Sequence, residues 1–129
     1  MIYVIIITFT VGFATKKTEE ISDYFWVVSG NKEDKIAKSG VHVTKSNFVD
    51  APIIEEYPLT LECTVDSFEV RELIGTIVNC LVDEEYLDEN GKIDIDKMEI
   101  ITFDMVSNTY RVLGEVVGNA FKDGLKLKD

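Results

Sequence analysis

Five lysines, Lys16, Lys17, Lys32, Lys35 and Lys38, fall close together in a chain whose twenty-four Asp and Glu outnumber its thirteen Lys and Arg. Ammonium groups gathered on an acidic background have two readings, a solvated helix face or a site for an anionic small molecule. The other residues able to do chemistry are sparser. His42 is the only histidine, and a lone imidazole beside a strand lacks the further nitrogen or sulfur ligands that zinc requires, so it reads as a surface or partly buried structural residue. Ser29, Ser39, Ser46, Ser67 and Ser107 have no evident base partner, and no G-x-S-x-G, phosphate loop or G-x-G-x-x-G occurs, which argues against hydrolase and nucleotide-triphosphatase chemistry. Cys63 and Cys80 fall within neighbouring predicted strands and read as small core hydrophobes rather than a crosslink.

The acidic run Asp83 to Gly91 invites comparison with a calcium loop. With Gly91 at the glycine position, Asp88 and Asn90 fit, but Tyr86 stands at the first ligand position and Lys97 where the bidentate Glu belongs. Those are the strongest ligands of such a loop, so the run reads instead as a solvated excursion turning at Asn90-Gly91, with Asp94 capping a short helix through Met98.

These residues must be positioned by elements whose periodicity is legible. Tyr3 to Phe13 is rich in β-branched residues and predicts a strand buried on both faces. Ile21, Tyr24, Phe25 and Val28 recur with helical spacing behind Thr18, a candidate N-cap with Glu19 and Glu20 in the first turn. Gly30 ends that helix, and Asn31 is placed to cap a second one, Lys32 to Ser39, which stops at Gly40. Further on, Val41 to Thr44 reads as a short strand and the segment around Asp50-Ala51-Pro52 as a loop. From Leu59 to Asp66 the alternation puts Leu59, Leu61, Cys63 and Val65 on one face, with Thr60, Glu62, Thr64 and Asp66 on the other. Phe68 to Val82 reads as its antiparallel partner, bent at Gly75. Ile100 to Phe103 and Thr109 to Val112 are short strands, and Gly114 to Phe121 a closing turn or short helix. Strands without regular β-α-β alternation favour an antiparallel barrel or α+β sheet over a doubly wound fold.

With 129 residues, one domain over 1–129 is expected. A net charge of −11 repels phosphate backbones and anionic headgroups, so nucleic acid and membrane surfaces are poor partners. No basic residue precedes the apolar opening, and polar residues begin by Thr15, an order that fits neither a secretory leader nor a membrane helix. A cytoplasmic protein is the expectation.

Four segments carry a resemblance. DYFWVVSGNKEDKIAKSG (Asp23 to Gly40), VTKSNFVDAPIIEEYPLTLECTV (Val43 to Val65), IGTIVNCLVDEEYLDENGKIDIDKM (Ile74 to Met98) and YRVLGEVVGNAF (Tyr110 to Phe121) follow one another in the order of similar segments in flavin reductase-like proteins of the flavoredoxin type. About a hundred of the 129 residues take part. The resemblance implies a mainly β (α+β) fold, an antiparallel FMN-binding split barrel incomplete at the N-terminus, with a helical pair after the first strand. It further implies FMN as cofactor near the interface of a homodimer, with hydride or electron transfer between a nicotinamide or protein electron donor and the flavin. Lys35 matches the family lysine that would meet the flavin or its phosphate, Ser29 and Gly30 form the corner that positions it, and Tyr110 matches an aromatic near the flavin ring.

Two departures qualify what is implied. Phe9-Thr10-Val11-Gly12-Phe13 already matches a strand that several strands precede in the family, including most of the contacts to FMN. The run from Cys63 to Leu73 also lacks the family's G-x-H turn. The expectation is therefore a shortened flavin reductase-like protein binding FMN across a homodimer interface. The alternatives are a degenerate split-barrel homodimer acting as a structural or interaction module without flavin, and a fragment that works only with its missing half supplied by another chain.

Overall fold

Strands β4 (Leu59–Glu69) and β5 (Glu72–Val82) form the longest ladder of the computed structural model, which describes residues 6–128. They pair antiparallel from Leu59 opposite Val82 to Glu69 opposite Glu72, with register shifts after Glu62 and after Val65. The hairpin turns at Val70 and Arg71, so Phe68 and Glu69 belong to β4 and not, as the sequence reading has it, to its partner. A first strand, β1 (Thr8–Gly12), pairs antiparallel with the other edge of β4, giving the order β1-β4-β5. The Tyr3 to Ile5 part of the predicted first strand lies outside the described residues. At Gly75 an added Cβ would stand 2.6 Å from the Phe9 ring and 2.7 Å from the Thr64 carbonyl oxygen. Phe9 thus occupies the space a side chain would take, a reason for glycine in mid-strand.

Helix α1 (Glu19–Val27) follows a 3-10 turn, Lys16–Thr18, and begins at Thr18 as expected. The second helix, α2 (Lys35–Ser39), is shorter than its periodicity suggests. Its cap is Asp34, whose carboxylate accepts from the Ala37 N–H at 3.1 Å, and not Asn31. Residues 29–32 are occupied instead by a turn in which the Lys32 N–H donates to the Ser29 carbonyl at 3.0 Å. The helix ends at Gly40 in the left-handed region, φ +74°.

Strand β2 (Val43–Lys45) pairs with β3 (Pro52–Ile54), a segment that reads as loop because its proline masks it. The loop between them folds onto β4, and there Glu62, on the face opposite Leu61 and Cys63, is fully buried. Its carboxyl oxygens accept from the Ser46 hydroxyl and from Asn79 Nδ2, the latter at 2.5 Å. Ser46 Oγ in turn accepts the Phe48 and Val49 N–H groups at 3.0 and 2.9 Å, so one buried side chain ties the loop to the sheet.

After β5 the chain makes the predicted turn, with Gly91 at φ +75°. Helix α3 (Ile95–Met98) is capped by Asp94, which accepts from the Lys97 N–H at 2.9 Å. Leu59, Tyr86 and Met98 form a small core, with Phe13, Val82 and Ile100 packed against it. Strands β6 (Ile101–Asp104) and β7 (Thr109–Val112) make a separate hairpin. Among the described residues the fold is mostly antiparallel β, in three sheets not closed into a barrel. Residues 113–119 have no regular structure, and of the expected closing element only the turn at Ala120 and Phe121 is present; Val116, Val117 and Phe121 lie open to solvent. No described helix is long and apolar enough to cross a membrane.

Candidate functional site

Helix α1 is the element on which the candidate residues hang, and four contacts hold it. Gly12 at the end of β1 admits the Tyr57 ring, since a Cβ there would lie 2.5 Å from it. The Tyr57 hydroxyl then reaches Ser22 Oγ on α1 at 2.9 Å. Tyr24 donates to Glu33 Oε2 at 2.7 Å, and the Lys35 ammonium donates to the Phe25 carbonyl at 2.6 Å, near the C-terminal end of the helix where a cation is favoured. On the opposite side, Tyr110 of β7 donates to Asp23 Oδ1 at 2.6 Å.

The first cleft lies between the end of α1, α2 and β3. It is a shallow, open cleft of about 790 Å³ lined by Phe25, Ile36 and Ile54 together with Gly30 and the polar run Asn31 to Lys35. Its acids are engaged. Glu33 accepts from Tyr24 and from Lys38 at 3.2 Å, contacts that hold its carboxyl below the usual range, and Asp34 caps α2. Lys32 and Lys35, by contrast, enter no salt bridge among the described residues. An apolar floor with two cations free of carboxylates suits a flat anionic ligand, and the volume is that of ordinary cofactor pockets, roughly 300–1,000 Å³. Of the five clustered lysines, Lys16 pairs with Glu99 at 3.4 Å and Lys38 with Glu33.

The predicted site residues divide between the two sides of α1. Lys35 and Gly30 line the first cleft, and Lys35 Cε passes 3.9 Å from where a Gly30 Cβ would stand. Ser29 supports the corner from outside the lining, its Oγ accepting the Asn31 N–H at 3.3 Å. Tyr110 lines a second cleft of about 510 Å³ with Trp26, Phe103, Ile101, Asn108, Ala14, Ser22 and Asp23. The Asp23 carboxylate accepting its hydroxyl raises the Tyr110 pKa above the ordinary 10.0, with burial and the charges of Asp23 and Glu19 adding to the shift. Asp23 and Trp26 escape the sequence reading because the helical period marks Ile21, Tyr24, Phe25 and Val28 as the inward face. The available signal is a tryptophan on the outward face, where it is 85% exposed.

His42 lies on the surface, as expected, but is not idle. Glu56 accepts both its backbone N–H, at 2.9 Å, and its ring Nδ1 proton at 2.6 Å, clipping the start of β2 to the turn after β3. Both cysteines are free, Cys63 buried and Cys80 exposed, so only Cys63 is a core hydrophobe.

This architecture, antiparallel sheets in an open split-barrel arrangement with helices after the first strand, is shared with solved structures. The chain superposes on flavoredoxin of Desulfovibrio vulgaris (Miyazaki F) with a TM-score of 0.83 and 33% identity, covering 89% of this chain and 63% of that one. For flavoredoxin from Methanosarcina acetivorans the values are 0.79 and 35%, over 92% and 64%. An FMN-binding domain of a flavin reductases-like enzyme from Shewanella baltica shares the fold at 12% identity and a TM-score of 0.71, over 85% and 62%. The chain thus spans less than two-thirds of the length of these structures. No curated protein matches it. Residues 7–97 match the family model described as flavin reductase like domain, and the chain belongs to that family.

Proposed function

We propose that the chain binds FMN in the cleft between α1, α2 and β3, with Lys35 and Lys32 toward the phosphate. The observation that carries this reading is the pair of ammonium groups without carboxylate partners above an apolar floor, in a chain of net charge −11. Glu33 and Asp34 share the lining, but their carboxylates are taken up by Tyr24, Lys38 and the cap of α2, which leaves the two ammonium groups available to an anionic ligand. FMN, when bound, supplies hydride or electron transfer at its isoalloxazine ring. The chain's own residues bind and orient. The Phe25 carbonyl fixes the Lys35 ammonium at 2.6 Å, Asp34 holds the first turn of α2, and Phe25, Ile36 and Ile54 exclude water from an apolar ring. The electron donor in this reading is a reduced nicotinamide or a protein.

The test is an FMN titration followed by flavin fluorescence, beginning with the visible spectrum of the protein as isolated. Saturable one-to-one quenching is expected. Lys35→Ala should weaken affinity about tenfold, the loss of one charge-assisted hydrogen bond of order 1.5 kcal/mol. Unchanged affinity removes Lys35 from the site, and no binding up to millimolar FMN overturns the reading.

A second reading, a homodimeric interaction module without flavin, draws support from a different observation. β5 is an edge strand that carries no charge from Leu73 to Val82, while Val116, Val117 and Phe121 expose 80%, 94% and 98% of their surface. Edges and apolar arms of this kind are ordinarily paired or covered. A second copy is the proposed cover in either reading, and sedimentation should give a dimer at micromolar concentration. A clean monomer sinks the homodimer.

A further inference from the structure

We infer that Phe121 of each chain seats in the cleft between α1 and the β6–β7 hairpin of a second copy, so that two chains exchange the arms that follow β7. The inference rests on the homodimer reading and supplies it with a specific contact.

The arm displays Phe121. At φ +63° this residue stands in the left-handed region, a conformation rare for a bulky side chain. A tied turn holds it there. The Lys122 and Asp123 N–H groups donate to the Asn119 carbonyl at 3.4 and 3.2 Å, while Asp123 Oδ2 accepts the Asn119 N–H at 2.8 Å. A Cβ on Gly118 would stand 2.9 Å from that same carboxylate oxygen, so a side chain there would push the tie aside. The outcome is a strained, fixed turn whose aromatic ring is 98% exposed.

The cleft offers what this ring lacks. Trp26 and Phe103 line it with their own rings largely exposed, beside Tyr110, and about 510 Å³ has room for a phenyl group. In a single chain the arm leaves this cleft open, and both surfaces are of the kind that is ordinarily covered. The charges match as well. Asp23 lines the cleft and Glu19 the adjoining one, and neither enters a salt bridge among the described residues. The same holds for Lys122 and Lys126, on either side of Asp123. Lys122 to Lys128 holds three lysines and one acid in a chain of net charge −11, so this segment is drawn to the acidic cleft of another copy. Val112 lines the adjoining cleft, and from there to Phe121 the arm can reach roughly 30 Å, enough to cross to a partner. Reciprocal exchange uses the same two surfaces on both chains and closes as a pair.

Trp26 is the only tryptophan, so its emission reports on this cleft. The full chain is diluted through its dimerisation range and followed by sedimentation and by Trp26 emission. The two should change together, with emission moving to the blue as the cleft is covered. Phe121→Ala should weaken pairing about tenfold, as the loss of a buried aromatic anchor does. Lys122→Glu should weaken it about threefold, a difference that high salt removes. A mixture then identifies whose arm is seated. Phe121→Ala keeps the reporter and lacks the anchor, whereas Trp26→Phe keeps the anchor and is silent. Both replaced side chains are exposed in the single chain, so neither change strips the core. An excess of the Trp26→Phe chain should shift the emission of the Phe121→Ala chain to the blue.

A dimer that forms without changing Trp26 emission, or that Phe121→Ala leaves as strong, pairs through another surface; the inference then falls and the homodimer reading stands. A blue shift that Phe121→Ala abolishes and the mixture does not restore places the arm in its own cleft, which overturns the exchange. A monomer at every concentration overturns both.

Discussion

On the α2 side of α1 two ammonium groups stand over aliphatic side chains without carboxylate partners, whereas on the β6–β7 side three aromatic rings surround a carboxylate. One nine-residue helix separates these surfaces, and its sequence explains how. Tyr24 and Phe25 turn toward α2, giving a hydroxyl to Glu33 and a backbone carbonyl to Lys35, while Asp23 and Trp26 turn toward β6 and β7. The acids on the α2 side are consumed by a tyrosine, a lysine and a helix cap, which leaves its remaining lysines free. Across the helix Lys16 is drawn to Glu99, and Asp23 is held by the neutral Tyr110 hydroxyl with no cation beside it among the described salt bridges. The two sides differ in which charges find partners, more than in which charges are present.

The comparison treats the clefts as two surfaces of one framework, and the largest expected effect tests that. Gly75→Val places a branched side chain where the Phe9 ring and the Thr64 carbonyl already lie within 2.7 Å, and should cost about 3 kcal/mol of stability. Denaturant unfolding followed by Trp26 emission and by bound FMN should shift together. A shift in only one signal would mean that the clefts belong to separate folding units.

A smaller change should separate them. Glu62→Ala strands the Ser46 hydroxyl and the Asn79 amide in a buried place and should cost about 2 kcal/mol. The loop it releases joins β2 to β3, and β3 supplies Ile54 to the α2-side cleft. FMN affinity should therefore fall while folded-state Trp26 emission stays as it was. Equal disturbance of both would show that the Glu62 tie supports the whole sheet.

Glu62 also marks where the sequence stops being legible. Alternation from Leu59 to Asp66 identifies the strand and places Glu62 on its polar face, but nothing in the pattern shows that this face is covered too. The Ser46 to Ala51 loop covers it, and a contact between residues 46 and 62 leaves no trace in local periodicity. The turn at Val70 and Arg71 went unseen for a related reason, since neither residue carries turn chemistry and its place is fixed by pairing along β4. Capping was more readable because its physics is local. Asp94 and the turn at Asn90-Gly91 lie where expected, Thr18 holds the N-cap position of α1 but turns its hydroxyl back to the Thr15 N–H, and the cap of α2 is Asp34 instead of Asn31. Of the candidate residues, the adjacency of Lys35 and Gly30 was legible in the four positions that separate them. The separation of Tyr110 from Lys35 was not, because it depends on which side of α1 the β6–β7 hairpin docks.

The smallest expected effect lies in pH, where the two sides should respond with opposite sign. On the α2 side the hydrogen bond and charge of Glu56, with help from Glu55, raise the His42 pKa above its ordinary 6.5. A raised folded value means that the clip stabilises fully below 6.5 and is lost as pH rises through the folded pKa. For Glu56, burial pushes the pKa up, but the ring and backbone donors of His42 outweigh it and leave the carboxyl below 4.5, so its share is lost only as pH falls through that lowered value. On the β6–β7 side the Ser107 hydroxyl and then the Arg111 guanidinium, with the Val106 and Ser107 N–H groups, hold Asp104 at about 2 instead of 3.8. That contribution is present above 3.8 and disappears as pH falls toward about 2, while the raised Tyr110 keeps its proton past 10.0. His42 is exposed and Asp104 half-buried at the surface, so the effects are small and screened by salt. Amide-exchange protection should show them nonetheless: His42 and Glu55 N–H groups should lose protection on the alkaline side of neutrality, and Val106 and Ser107 only in strong acid. If all four lose protection over the same pH range, the two sides of α1 are not electrostatically independent.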